Sequence, residues 1–279
     1  MAGKQKTLHF VKMQGAGNDC IIIDLMKSKP LNPQRLARKI CNRRLGVGAD
    51  QLLLLAKSRK ADFKMQIFNA DGSEAEMCGN GIRCLARYIR EAGYTSKKEM
   101  TIETLAGIRK VKVASKAVEV NLGEPKLKGK EIPVHLSGRI INRPLKIDAK
   151  DFRITCLSLG NPHCVIYQEN LDTFPVEKYG PLLEHYHLFP HRTNISFVNV
   201  LSTGELKARV WERGVGETLA CGTAAAASLV ASVLNGFTER KVKIELPGGK
   251  LEVEWNRDDN TVWLSGPAEK VCEGEFPLY

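Results

Sequence analysis

Short apolar stretches rich in alternating or branched side chains recur along the chain. They predict strands at Leu8–Val11, Cys20–Asp24, Gln51–Leu55 and Phe63–Asn69. Between them the period lengthens. Pro33 to Asn42 predicts a helix, with Asn32 as its N-cap and Pro33 at its first position. From Cys78 onward, Ile82, Leu85, Ala86 and Ile89 share one helical face, and Gly93 stops the run. The same alternation returns at Ile154–Leu157, Val165–Tyr167, Ser196–Leu201 and Lys207–Trp211, followed by a helix over Thr223–Leu234 that ends at Asn235-Gly236. The run Ala224–Ala227 with Ser228 predicts a helix packed closely on all sides. The expected fold class is α+β: two pseudo-symmetric domains, each with strands wrapped around a central helix. The strands are expected to be hairpin-like, without long parallel crossovers.

The two halves match residue by residue at a spacing of 143. Cys78 corresponds to Cys221, Gly17-Asn18 to Gly160-Asn161, Gln51 to Asn194, and Gly93 to Gly236. Thr101-Ile-Glu-Thr-Leu-Ala-Gly107 resembles Lys243-Ile-Glu-Leu-Pro-Gly-Gly249 with one residue slipped. A period this long excludes a solenoid and indicates duplicated domains. A length of 279 residues accommodates two of ordinary size. The Gly/Pro/Lys-rich stretch Gly123–Lys130 marks the expected boundary, giving domains of 1–125 and 126–265, with 266–279 a candidate to return to the first.

The chain has no apolar run near 18 residues, and its opening Met-Ala-Gly-Lys-Gln-Lys lacks the apolar segment of a signal peptide. Eight scattered cysteines without a Cys-x-x-Cys pair suit a reducing, cytoplasmic setting better than a disulfide framework. Cys20, Cys41, Cys84, Cys156, Cys164 and Cys272 read as small core residues. The formal net charge is +11. Its carriers are dispersed (Lys4, Lys6, Arg35, Arg38 and Lys39 among them) without a nucleic-acid signature. They read as a solvated surface, so neither a nucleic-acid nor a membrane partner is expected.

The chemistry lies in the two matched cysteines. Asn69-Ala-Asp-Gly-Ser-Glu-Ala-Glu-Met-Cys78-Gly-Asn-Gly parallels Glu212-Arg-Gly-Val-Gly-Glu-Thr-Leu-Ala-Cys221-Gly-Thr. Each thiol sits where a helix begins. Free N–H groups there carry positive partial charge, which favours a thiolate and binds a carboxylate. Either cysteine alone reads as a buried thiol, His163 alone as a packed histidine, Glu212-Arg213 alone as a surface ion pair, and Gly15-Ala-Gly17 as a turn. Two matched helix starts addressing one substrate suit proton removal from one face of a carbon and delivery to the other. No lysine or phosphate loop suited to pyridoxal phosphate is evident, so no cofactor and no metal is expected. The helix-start N–H groups would stabilise the carbanion.

These segments, with Gly17-Asn18-Asp19, Gly46-Val-Gly-Ala-Asp50-Gln51, Phe68 through Cys84, Gly160-Asn-Pro-His163, Asn194 and Glu212 through Thr223, resemble the diaminopimelate epimerase family over essentially the whole chain. The resemblance implies a cofactor-independent isomerase of LL- and meso-2,6-diaminopimelate, serving lysine and peptidoglycan precursor synthesis. The implied fold is two α/β halves with the site between them, and the implied assembly is a homodimer. The resemblance names Cys78 as proton donor and Cys221 as acceptor. It places substrate contacts on Asn18, Gln51, Asn69, Gly79, Asn80, Asn161, Asn194, Glu212, Arg213, Gly222 and Thr223, and thiol tuning on His163 and Glu212. Arg213 suits a distal carboxylate. Gln14 and Ala224 depart from the family's common His and Gly. The rivals are a proline or hydroxyproline racemase of the same fold, whose motif has His where Asn80 stands here, and a non-enzymatic basic binding protein.

Overall fold

A computed structural model describes residues 7–28 and 32–278. Lys4, Lys6, the opening segment and the last residue of the chain lie outside the described residues. The chain forms two compact units, Met1–Val120 with Gly266–Tyr279, and Asn121–Ser265.

In the first unit, β1 (Thr7–Gly15) and β2 (Asn18–Asp24) form a hairpin. Its turn residues Ala16 and Gly17 both have positive φ (55° and 83°), as a two-residue turn with the twist of the flanking strands requires. Then come α1 (Pro33–Ile40), β3 (Gln51–Ala56), β4 (Phe63–Asn69), β5 (Glu74–Ala75), α2 (Gly79–Glu91), β6 (Glu99–Thr104), β7 (Gly107–Val113) and β8 (Val118–Asn121). β3 pairs parallel to β2 and antiparallel to β4. β6 pairs parallel to β4 and leads into the meander β6–β7–β8. A strand from the far end of the chain, Glu269–Pro277, pairs antiparallel with the other edge of β1.

Cys20–Asp24 and Leu52–Leu55 are buried at every position, so both sheet faces are covered there. One face carries Ile21, Ile23, Leu52, Leu54 and Phe68 against Leu36, Ala37 and Ile40 of α1. α2 is the central helix, in contact with β1, β2, β3 and β7 and buried from Gly79 through Ala86.

The second unit repeats the plan. It comprises β9 (Ile140–Ile147), β10 (Lys150–Ser158), β11 (Pro162–Tyr167), α3 (Val176–Glu184), β12 (Asn194–Ser202), β13 (Glu205–Glu212), β14 (Gly216–Thr218), α4 (Gly222–Leu234), β15 (Lys241–Leu246), β16 (Gly249–Trp255) and β17 (Val262–Gly266). The 143-residue spacing maps the start of β1 to that of β10 (7 to 150), α1 to α3 (33 to 176), β3 to β12 (51 to 194) and α2 to α4 (79 to 222). β9 lies antiparallel on β10 as Glu269–Pro277 lies on β1. α4 is buried without interruption from Gly222 to Ser232, as its run of alanines and small polar residues predicts.

Two expectations change, and one helix was not foreseen. The strands are not only hairpin-like: β2–β3, β4–β6, β11–β12 and β13–β15 are parallel, because a helix carries the chain from one strand of each pair to the next. α3 carries Gly180 and Pro181 and has no side-chain cap, so its local pattern gives no helix signal. Cys272 is exposed rather than buried, since it lies on the outer strand Glu269–Pro277. Cys20, Cys41, Cys84, Cys156 and Cys164 are buried as expected.

Candidate active site

Each cysteine is the N-cap of its unit's buried helix. Cys78 has extended backbone (φ −137°, ψ 114°), and its sulfur accepts from Gly81 N–H at 3.2 Å. Cys221 has nearly the same backbone (φ −129°, ψ 115°) at the start of α4. The glycine after each cysteine is the first residue of the helix, so no side chain crowds its amide.

Around Cys78, the β1–β2 turn delivers Asn18. The Cys78 thiol donates to Asn18 Oδ1 at 3.6 Å, and Asn18 Nδ2 donates to Asp50 at 2.9 Å. This fixes which end of the carboxamide faces the sulfur. Asp50 and Asp19 are joined by Arg43, and Lys12 also pairs with Asp19. Burial pushes Asp19 up, but the hydrogen bonds from Arg43 and Lys12 outweigh it and hold its carboxyl down at about 2. Gln51 and Asn69 are opposite one another on β3 and β4, and Gln51 Nε2 donates to Asn69 Oδ1 at 3.2 Å. Asn69 Nδ2 donates to Ser73 Oγ. Gln51 Oε1 is buried with no hydrogen-bond partner, an acceptor left open in this unit. Gly79 and Asn80 form the buried first turn of α2.

In the second unit, β11 and β12 run parallel with His163 beside Asn194. Asn161 Nδ2 donates to Thr223 Oγ1 at 3.2 Å, its Oδ1 meets His163 Nε2 at 2.9 Å, and Thr223 Oγ1 lies 3.5 Å from the Cys221 sulfur. Gly222 and Thr223 open α4. Asn194 is committed to the backbone: its Nδ2 donates to Pro162 O and its Oδ1 accepts from Arg213 N. Glu212 and Arg213 do not pair with each other. Glu212 Oε1 accepts from Thr218 Oγ1 at 2.6 Å, and Arg213 is exposed with one guanidinium N–H on His191 O.

The two halves differ electrically. Burial pushes the Cys221 thiol well above its ordinary value, and the Glu212 carboxylate pushes it the same way. Hydrogen bonds from Thr223 and the Ala224 amide oppose them in part. The expectation of an acidic thiol at this helix start is therefore overturned for the unligated protein. A helix N-terminus favours an anion by about 0.3–2 kcal/mol, whereas taking a charge out of water costs several. His163 is fully buried and is pushed down to about 3, first by burial and then by the nearby Arg213 charge. It is a neutral hydrogen-bonding group.

Sequence reasoning missed Glu184, the last residue of α3. It is buried and accepts from Trp211 Nε1 at 2.7 Å and from Gly214 N at 2.9 Å, which holds the turn carrying Arg213. The signal available was the 143-residue spacing from α1, which places a helix there.

The duplicated α+β plan, two units each built around a buried central helix, defines a class of fold that solved structures share. A hydroxyproline epimerase from Agrobacterium vitis has a TM-score of 0.73 at 15% identity, covering 99% of this chain and 93% of that one. A phenazine biosynthesis protein of the PhzF family from Bacillus anthracis has a TM-score of 0.69 at 20% identity, covering 98% and 100%. Within that class the chain belongs to the diaminopimelate epimerase family, whose model matches residues 10–128 and 155–271. It is 50% identical over 277 residues to the diaminopimelate epimerase of Acetivibrio thermocellus, covering 97% of this chain and 99% of that one. It is 47% identical over 278 residues to that of Moorella thermoacetica, covering 97% and 100%.

Proposed function

We propose that this protein is an isomerase that interconverts LL- and meso-2,6-diaminopimelate without a cofactor, in lysine and peptidoglycan precursor synthesis. The observation that carries this reading is the pair of cysteines at the same place in two copies of one unit, in a chain nearly half identical to diaminopimelate epimerases. The thiols act on one α-carbon. In one direction Cys221 removes the α-proton as thiolate and Cys78 delivers a proton as thiol, and the roles exchange in reverse. The Cys78 S–H bond to Asn18 agrees with the donor role.

The amides of Gly79, Asn80, Gly222 and Thr223 receive the carboxylate of the reacting end and stabilise the charge that spreads onto it. Arg213 takes the distal carboxylate through two parallel N–H bonds, and its exposure leaves it free to do so. Asn18, Gln51, Asn69, Asn161 and Asn194 supply neutral hydrogen bonds that fix which stereocentre is accepted. Glu212, and His163 through Asn161 and Thr223, tune Cys221. The Cys221 thiol is raised while the protein is unligated, so the base forms only as substrate enters and its ammonium and carboxylate change the local field. The assembly is a cytoplasmic homodimer in this reading, and eight free thiols suit a reducing compartment.

The test is solvent deuterium incorporation at the α-carbon, followed by proton NMR and chiral analysis. Diaminopimelate should exchange and epimerise, while proline, hydroxyproline and glutamate should not. Exchange of proline without exchange of diaminopimelate would overturn the assignment.

A further inference from the structure

Arg83 lies in the second turn of α2, and its side chain is 0% exposed. Its guanidinium donates from Nη1 to Gly79 O at 3.2 Å and from Nε to Pro267 O at 3.3 Å, and Nη2 has no hydrogen-bond partner. No ion pair forms to it among the described residues. For stability this is a poor place for a cation. It is out of water, it lacks a carboxylate, and it stands near the end of a helix that already carries positive partial charge. Burial accordingly pushes Arg83 down, and the groups that pull it back up are the sulfurs of Cys84, Cys78 and Cys20.

Of these three sulfurs, those of Cys20 and Cys84 are hydrogen-bonded to each other. That bond and burial hold Cys20 in its thiol form, so the pair is committed to itself. Cys78 is only half-buried and sits next to the very residue, Gly79, whose carbonyl the guanidinium holds. Two other carboxylates at this corner are matched: Asp19 and Asp50 are bridged by Arg43, with Lys12 on Asp19. Glu269, from the segment that supplies Pro267, is bonded to Gln14. In α4 the equivalent position, 143 residues on (83 to 226), is Ala226, and the charge that acts on the Cys221 sulfur is the carboxylate of Glu212, which disfavours a thiolate there. The two thiols therefore sit in opposite fields.

We propose that Arg83 is a positioning residue that stabilises the Cys78 thiolate from beneath the first turn of α2, making Cys78 the more acidic of the two catalytic thiols. It touches neither substrate nor sulfur. It acts by its charge and by tying the Gly79 carbonyl to Pro267, which fixes the amides at the helix start. The proposal rests on the two-thiol reading of the site. When Cys78 gives its proton to carbon, the thiolate left behind is held by the Gly81 amide and the Arg83 field. When the reaction reverses, that thiolate is the base.

The experiment measures the rate of iodoacetamide alkylation of Cys78 against pH in the full-length, unligated protein, resolved by peptide mass spectrometry. Exposed Cys272 is the internal reference. Arg83→Met should move the Cys78 midpoint up by about one pH unit or more, Arg83→Lys by clearly less, and neither should move Cys272. Gly15→Ala supplies a variant that keeps the arginine. Its new methyl would lie 3.0 Å from Arg83 Nη2 and would displace the guanidinium, so a smaller upward shift is expected. An unmoved Cys78 midpoint in folded Arg83→Met, or in Gly15→Ala if the first variant does not fold, overturns the proposal. So does an Arg83→Lys profile as far displaced as that of Arg83→Met, which would mean a purely structural role. Alkylation needs no substrate, so this result is independent of the deuterium test of the proposed activity.

Discussion

At the scale of single residues, the two halves diverge where the chain needs an acid and a base to differ. Cys78→Ala and Cys221→Ala should each abolish epimerisation with little change in unfolding temperature, since neither thiol is a large core group. Near-normal turnover in either would end the two-base reading. His163 gives a pH prediction. Its folded value is about 3 against an ordinary 6.5. Above 6.5 neither the folded nor the unfolded state is protonated there, and the group costs nothing. Between 6.5 and 3 only the unfolded chain takes the proton, so stability falls as pH falls, by up to about 1.4 kcal/mol per pH unit. Denaturant titrations at several pH values should show that slope, and His163→Gln should flatten it. Asp19, held at about 2, contributes a separate loss that begins only below its ordinary 3.8. These environments were not legible in the sequence. The residue types at the site are written in the motifs, but whether burial or the helix end wins at Cys221 depends on how many side chains close over it.

At the scale of elements, the central helices were the easiest to read, and α3 the hardest. α2 announces itself by Ile82, Leu85, Ala86 and Ile89, and α4 by its small residues. α3 hides behind Gly180 and Pro181, and the reason for Gly180 is visible only in three dimensions. A Cβ there would lie 2.5 Å from Trp211 Cδ2. Trp211 is in turn held by Glu184, which also holds Gly214 beside Arg213. Gly180→Ala should therefore cost about 1–3 kcal/mol by overpacking. It should also raise KM for diaminopimelate more than it lowers kcat, because the displaced turn carries the residue assigned to the distal carboxylate. An unchanged KM in a destabilised protein would separate α3 from recognition. The parallel pairs were missed for a related reason. The apolar pattern gives strands but not their neighbours, and a helix between two strands permits a parallel return that a short turn does not.

At the scale of the whole molecule, the duplication is the clearest message of the sequence, because polar and glycine positions recur at one spacing. The net charge of +11 is a weaker guide. Diaminopimelate carries two carboxylates and two ammonium groups and has no net charge to be steered. kcat/KM should therefore change by no more than about twofold between roughly 50 and 300 mM salt, a range over which steering of a net anion would weaken markedly. A steep fall would point to an anionic substrate.

The strand Glu269–Pro277 on the edge of β1 has a consequence for synthesis on the ribosome. Asn121–Ser265 is one uninterrupted stretch of chain, whereas the unit that begins first is completed last, by residues made after all of the other. Until that strand arrives, β1 presents an unpaired edge, and Arg83 lacks the Pro267 carbonyl. The unit carrying Cys221 is thus free to fold during translation, while the one carrying Cys78 waits for the strand Glu269–Pro277. A chain stopped at Ser265 should give a protease-resistant fragment from its second half and rapid cleavage of its first.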